Sequence, residues 1–350
     1  MQESWRHIKR KGGSPVTQIY GTIGPACKNK EVLSEMFALG MTGLRLNLSH
    51  TTLQEAAGAI ADIQSAAASA GLKPELLIDM QGPELRIGKL AQPLALENGT
   101  AVSFCPAGPE SAALSAEAIP LPELVLDALR PGQELLLDDG KLLLVADTPH
   151  SGRVLRGGLL RGGKSIALPG CSLRPPTMTV QDQKHIREAS RYGVTGIMQP
   201  FVRDAEDLKL LRDALDAAGS TDIRIFAKIE NLSGVEHLES FFPLADEIVI
   251  ARGDLGNALP LWKLPSLQQR IAAACRSASV PFMVVTQMLA SMEQSAVPTR
   301  AEVNDIYHAI LDGAASVMVT GETAVGAYPV EVIRYLVNTV RQAERDLKSC

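Results

Sequence analysis

The chain has 350 residues, 46% of them hydrophobic but only 4% aromatic, with a formal charge of −5 and five cysteines. That length buries a large core in one big domain or two, and the shortage of aromatics leaves Leu, Val, Ile and Ala to fill it, which suits helices packed on a parallel sheet. The acidic balance excludes an electrostatic nucleic-acid binder, whose basic tract would have to be the short "RHIKRKGG" leader. An odd cysteine count without CxxC spacing, no apolar run of membrane-spanning length and no signal-peptide h-region lead to the expectation of a soluble cytoplasmic protein without nucleic-acid or membrane partners.

In chain order, short β-rich runs are expected as strands at 17–23 (TQIYGTI), 43–47 (GLRLN), 75–80 (ELLIDM), 196–201 (GIMQPF), 223–229 (IRIFAKI), 247–253 (EIVIARG), 282–288 (FMVVTQM) and 316–321 (SVMVTG). Segments of helical period lie between them, with Thr52, Thr179, Asp204 and Thr299 as caps and Gly71, Gly193 and Gly219 as stops. Eight strand-then-helix units satisfy the right-handed crossover rule most simply by closing into an α/β fold, the (β/α)8 TIM barrel. The competing open sheet usually carries a Gly-rich dinucleotide loop after its first strand, and "GTIGPACKNK" does not fit G-x-G-x-x-G. Residues 89–163 break the rhythm with "AVSFC", "ELLLDDGKLLLVAD" and "GRVLRGG", which read as hairpins of a small all-β, barrel-like cap domain inserted after strand 3. The barrel is accordingly assigned to 1–88 and 164–350.

In such barrels the carboxyl ends of the strands bear the chemistry. Those ends hold Thr22 and Pro25; Arg45, Asn47 and Ser49; Asp79, Glu84 and Arg86; Lys228 and Glu230; Arg252 and Asp254; Thr286 and Gln287; and Thr320, Glu322 and Thr323. Charges at the end of a core strand are costly to desolvate, so their presence calls for a reason. Lys228 and Glu230 make either an ordinary ion pair or, with Asp254, a site for a hard divalent cation beside a positive charge. Arg45 and Arg86 are either surface cations or an anion clamp. Asn47, Ser49 and Asp79 form either a hydrogen-bonded cluster or oxygens suited to a monovalent cation. His50 reads as structural or as a weak phosphate contact rather than a general base, and Cys27 as buried.

The stretches "TIGPAC", "LRLNLSH", "IDMQGPELRIG", "LLLDDGKLLL", "KSIALPG", "PFVRDAEDL", "AKIEN", "ARGDLG", "VTQMLASM", "PTRAEVNDI" and "GETAVGAYP" follow one another from about residue 17 onward. In that order they resemble the pyruvate kinase family. The resemblance implies transfer of phosphate between phosphoenolpyruvate and ADP, giving pyruvate and ATP, with Mg²⁺ (or Mn²⁺) and K⁺ as cofactors. It implies that Lys228 stabilises the phosphoryl group in flight, that Glu230 and Asp254 hold the divalent ion, and that Arg45 binds the phosphate. Thr286 would lie on the proton route to the enolate, and the backbone at Ala251, Arg252 and Gly253 would hold the substrate carboxylate. Asn47, Ser49, Asp79 and the Met80 carbonyl would form the K⁺ site, with Glu84 matching the acid of K⁺-dependent members. Thr22, Pro25, His50, Arg86, Lys164 and Asp138 match nucleotide-side positions.

The chain departs from the family pattern at Met80-Gln81, usually Thr-Lys, at Pro200, usually Ser, and at Val325, usually Lys. Two cationic positions near the phosphates are thereby neutral. The resemblance also leads to the expectation that the family's C-terminal regulatory domain is absent after "PVEVIRYLVNTVRQAERDL", so that activation through that domain is not expected, and it leaves room for a homodimer through barrel helices. Two rival readings use the same residues: a divalent-metal lyase, aldolase or decarboxylase acting through the pyruvate enolate, and a non-catalytic protein that binds phosphoenolpyruvate or pyruvate.

Overall fold

Eight short strands lie side by side, all parallel, and close on themselves: β1 (Gln18–Thr22), β2 (Gly43–Asn47), β3 (Glu75–Asp79), β4 (Gly196–Gln199), β5 (Arg224–Ile229), β6 (Glu247–Ala251), β7 (Phe282–Val285) and β8 (Ser316–Met318). They belong to a computed structural model that describes residues 17–49, 51–82, 84–108, 118–138, 140–171 and 173–349. The basic leader and His50 lie outside the described residues. Each strand pairs with its sequence neighbours, and β1 with β8 closes the ring through Gln18 opposite Ser316. No described helix is long and apolar enough to cross a membrane.

All eight strands stand where the β-rich runs place them, but β1 and β3 end one residue early and four others end two or three residues early, each of the four for a local reason. β4 stops at Gln199 because Pro200 has no N–H to donate and Phe201 turns to φ 51°. β6 stops at Ala251, where the short helix Arg252–Asn257 begins. β7 stops before Thr286 and Gln287, both left-handed. β8 ends at Met318, before the helix Gly321–Ala324.

Alternation along the strands divides the core in two. Outward residues such as Ile78, Ile197, Ile225 and Ile250 pack against the helices. Inward residues fill the barrel, with Tyr20, Leu77, Phe226, Val249, Met283 and Met318 among them. Two of the inner positions must be small. A Cβ on Gly196 would lie 2.5 Å from a Phe226 ring carbon, and one on Gly43 2.8 Å from the Tyr20 ring.

The apolar filling is bounded at its amino-terminal side by a polar layer from the first residues of four strands. Arg224 reaches Glu75 at 2.6 Å and lies over the Phe226 ring, while the buried Glu247 accepts a hydrogen bond from Ser316.

Thr179 and Thr299 each cap a helix through a reciprocal box, with Asp182 and Glu302, and Asp204 caps the helix Ala205–Ala217. Thr52 differs from expectation. It exchanges capping bonds with Glu55, but regular helix begins only at Ala57. Gly71, Gly193 and Gly219 all take left-handed φ values at their expected stops.

The chain divides into two compact units, with boundaries after Gly82 and before Thr177. The second unit is therefore wider at both ends than 89–163. Its flanks are held by their own pairing: Arg86 bridges to Ser165, and Ile166–Ala167 pairs with Glu134–Leu137. This unit contains a six-stranded sheet, a two-stranded sheet and the short helix Glu123–Ala128. Its hairpin from Glu134–Leu137 to Leu142–Thr148 turns through Asp138 and Gly140, both at positive φ.

Candidate active site

The strand ends of the first unit gather their charges inside the barrel. Lys228 occupies an inward position of β5, and burial alone works against its charge. Its Nζ lies 3.2 and 3.1 Å from the two oxygens of Asp79 and 2.9 Å from Glu230 Oε1. Those two carboxylates outweigh the loss of water and push the ammonium above its ordinary pKa.

Asp79, at the end of β3, is shared by two cations. Arg45 reaches it with Nε at 2.8 Å and Nη2 at 2.7 Å, and turns Nη1 toward Thr22 Oγ1 at 3.5 Å. Burial raises the Asp79 carboxyl, but Lys228 and Arg45 overcome it and leave the group below its usual range. Thr22 donates to the Val319 carbonyl, and its own backbone is held from both sides by Thr323.

Glu230 is buried, and burial is the main reason its carboxyl rises to about 7. Lys228 opposes the rise, while Asp254 and Asp79 add to it. The second oxygen, Oε2, accepts the Phe201 N–H at 2.8 Å. Phe201 can present that N–H because its backbone is left-handed, a feature the sequence did not signal.

Two mutually repelling carboxylates on neighbouring strand ends suit a hard divalent cation. Among the described residues no group of three or more His, Cys, Asp or Glu side chains forms a metal cage. Mg²⁺ does not need one, since it commonly keeps waters and takes one or two carboxylates together with substrate oxygens.

Asn47 stands opposite Asp79 in the β2–β3 register, and its Oδ1 accepts the Ser49 N–H at 3.1 Å. Met80 follows, with its N–H on the Met198 carbonyl. The set thus offers mostly uncharged oxygens around a carboxylate already balanced by two cations, a chemistry suited to a weakly held monovalent ion.

Ala251 precedes the helix Arg252–Asn257, which carries Gly253 and Asp254. The Arg252 side chain turns to the Thr286 carbonyl and to Asp305, a helix residue the strand-end reading passed over. Thr286 packs at Gly253, where a Cβ would meet its Cγ2 at 3.0 Å.

Pro25 is exposed in the turn after β1. Among the departures, Gln81 donates its backbone N–H to Asp182, as does the neighbouring Gly82, Pro200 lies against Gly82, and Val325 is 66% exposed.

In the second unit Arg86, Lys164 and Asp138 converge around Ser165. Arg86 bridges to Ser165, Asp138 N–H donates to the Ser165 carbonyl, and Lys164 pairs with Asp138 at 2.8 Å. Arg86 also pairs with Glu84 at 2.7 Å and donates to the Gly163 carbonyl. The Asp138 carboxyl is lowered chiefly by its hydrogen bond from Lys164.

A family model described as "Pyruvate kinase, barrel domain" matches residues 14–333. Among curated proteins, a pyruvate kinase of Geobacillus stearothermophilus is 34% identical over 354 residues, covering 97% of this chain and 58% of that protein. A pyruvate kinase of Chlamydia pneumoniae is 32% identical over 95% of this chain and 69% of its own length. One of Agrobacterium vitis is 35% identical over 94% and 68% respectively. The chain thus spans 58 to 69% of the length of these relatives.

Proposed function

The chain belongs to the pyruvate kinase family, and from that premise we propose that it moves a phosphoryl group between phosphoenolpyruvate and ADP, giving pyruvate and ATP. One observation carries the reading: the Lys228 ammonium lies against both Asp79 and Glu230 at the strand ends, with Arg45 on the same Asp79. Fixed cations at one spot, with no activated Ser or Cys nucleophile invoked, match a transfer in which positioning and charge stabilisation do most of the catalysis.

In the proposed reaction an ADP β-phosphate oxygen attacks phosphorus, the bond from phosphorus to the enolate oxygen breaks, and the enolate takes a proton at C3 to become pyruvate. Lys228 stabilises the charge on the equatorial oxygens of the group in transit, and Arg45 orients the phosphate. Asp79 fixes both cations so that neither has to reorganise. The backbone at Ala251, Arg252 and Gly253 receives the substrate carboxylate, and Thr286 lies on the route by which solvent supplies the proton. Glu230 and Asp254 would hold a divalent ion, which when bound neutralises charge shared by phosphate and enolate oxygens. Asn47, Ser49, Asp79 and the Met80 carbonyl would hold K⁺. Thr22 and Pro25 are the nucleotide contacts proposed within the barrel. A cytoplasmic setting belongs to the same reading.

The test is ATP formation by the purified protein given phosphoenolpyruvate and ADP, with Mg²⁺ and K⁺ added or withheld singly. The expected outcome is turnover that requires both nucleotide and Mg²⁺ and rises with K⁺. Pyruvate chemistry that proceeds without nucleotide replaces this reading with the lyase, and binding of phosphoenolpyruvate without turnover replaces it with the sensor.

A further inference from the structure

Thr286 and Gln287 are consecutive non-glycine residues in the left-handed region, at φ 79° and 54°. A β-branched residue there is a steric outlier, and such a conformation persists where surrounding contacts enforce it. A charged side chain holds the Thr286 carbonyl. Arg252 directs two nitrogens at the single carbonyl oxygen of Thr286, Nε at 3.1 Å and Nη2 at 2.7 Å. Its remaining nitrogen, Nη1, lies 2.6 Å from Asp305 Oδ2.

A guanidinium is a rigid planar fork, so anchoring one side fixes the direction of the other. Asp305 is that anchor. It belongs to the helix Arg300–Leu311 and sits at no strand end. The Arg252 side chain is 11% exposed, so the pair is largely shielded on the arginine side and only partly screened by water at Asp305. The turn that results sets the Thr286 side chain against Gly253.

We propose that Asp305 is a positioning residue for the proton-transfer half of the reaction: by anchoring Arg252 it holds Thr286 in the left-handed backbone that aims its side chain at the enolate. The proposal rests on the function given above. In that half-reaction C3 gains a proton from solvent, the C2–C3 double bond becomes single and the C2–O bond becomes a carbonyl, with no change of oxidation state overall. Asp305 touches neither proton nor substrate.

Two variants test it. Asp305→Ala removes the anchor, and the near-isosteric Asp305→Asn keeps an acceptor without the charge and serves where the alanine variant does not fold. In crystal structures of the variants, Thr286 is expected to leave the left-handed region as Arg252 releases its carbonyl. Retention of both overturns the proposal. In solution, exchange of pyruvate methyl protons for deuterium, read by proton NMR, is expected to fall about ten- to a hundredfold in Asp305→Ala. The asparagine variant should fall between, with KM for phosphoenolpyruvate within about twofold of wild type, a split that general loosening would not give. Unchanged exchange, or kcat and KM moving together, overturns the proposal. Wild-type protein that exchanges no methyl protons and makes no ATP fails the functional reading instead, and the Thr286 backbone in the variant structures then decides whether Asp305 is the anchor.

Discussion

Lys228 on β5 and Asp79 on β3 are joined across the inside of the barrel, the ammonium 3.1 Å from one carboxylate oxygen and 3.2 Å from the other. Arg45 binds the same carboxylate from β2 at 2.7 Å. Asp79 is therefore the buried carboxylate that two part-exposed cations share, and neutralising it leaves Arg45 without its carboxylate partner and Lys228 with Glu230 alone. Asp79→Asn is expected to destabilise the protein by about 3–5 kcal/mol, the cost typical of breaking a buried ionic cluster from one side. Urea denaturation followed by circular dichroism measures this. An unchanged midpoint would mean that the pair is held by other contacts.

Glu247 supplies a pH dependence of a different origin. Burial raises its carboxyl to about 7; the Ser316 hydroxyl and Arg224 pull it down, while Glu75 and Asp246 push it up. Tyr20, also facing the cluster, is itself raised by burial. A carboxyl raised in the folded state gives stability that is fully present below the unfolded value of 4.5 and is lost as the pH climbs through about 7. Glu247→Gln should flatten that window. The variant should gain on wild type by about 3 kcal/mol between the acid and alkaline ends, as read from unfolding free energies across the range. Parallel profiles for the two proteins would show that Glu247 is not the titrating group.

What the sequence disclosed and what it withheld follow from how far each signal reaches along the chain. The eight strands are legible because each is a local β-rich run, and the charge cluster because Lys228, Glu230, Arg45 and Asp79 are charges placed where an apolar strand ends. Glu247 carries no such mark. As the first residue of β6 it looks like a surface charge, and only closure of the ring encloses it beside Ser316. Asp305 lies among the ordinary polar positions of "RAEVNDIY", and its importance depends on Arg252, 53 residues away in sequence. Phe201 contributes a backbone N–H, which no side-chain motif encodes. The flanks of the inserted unit read as barrel in the sequence for a similar reason. Arg86 and Ser165 pair across a separation that periodicity cannot see.

The most direct test of the central claim follows the phosphorus atom. Phosphoenolpyruvate, ADP, Mg²⁺ and K⁺ are mixed with wild type and with Lys228→Met, and phosphorus NMR records where the phosphoryl group goes. With wild type the phosphoenolpyruvate signal is expected to convert to the γ-phosphate of ATP, and with Lys228→Met the rate is expected to fall at least about a hundredfold, the loss that follows when one preorganised charge is removed from the transition state. Equal rates in the two proteins, or release of the group as inorganic phosphate, would contradict it.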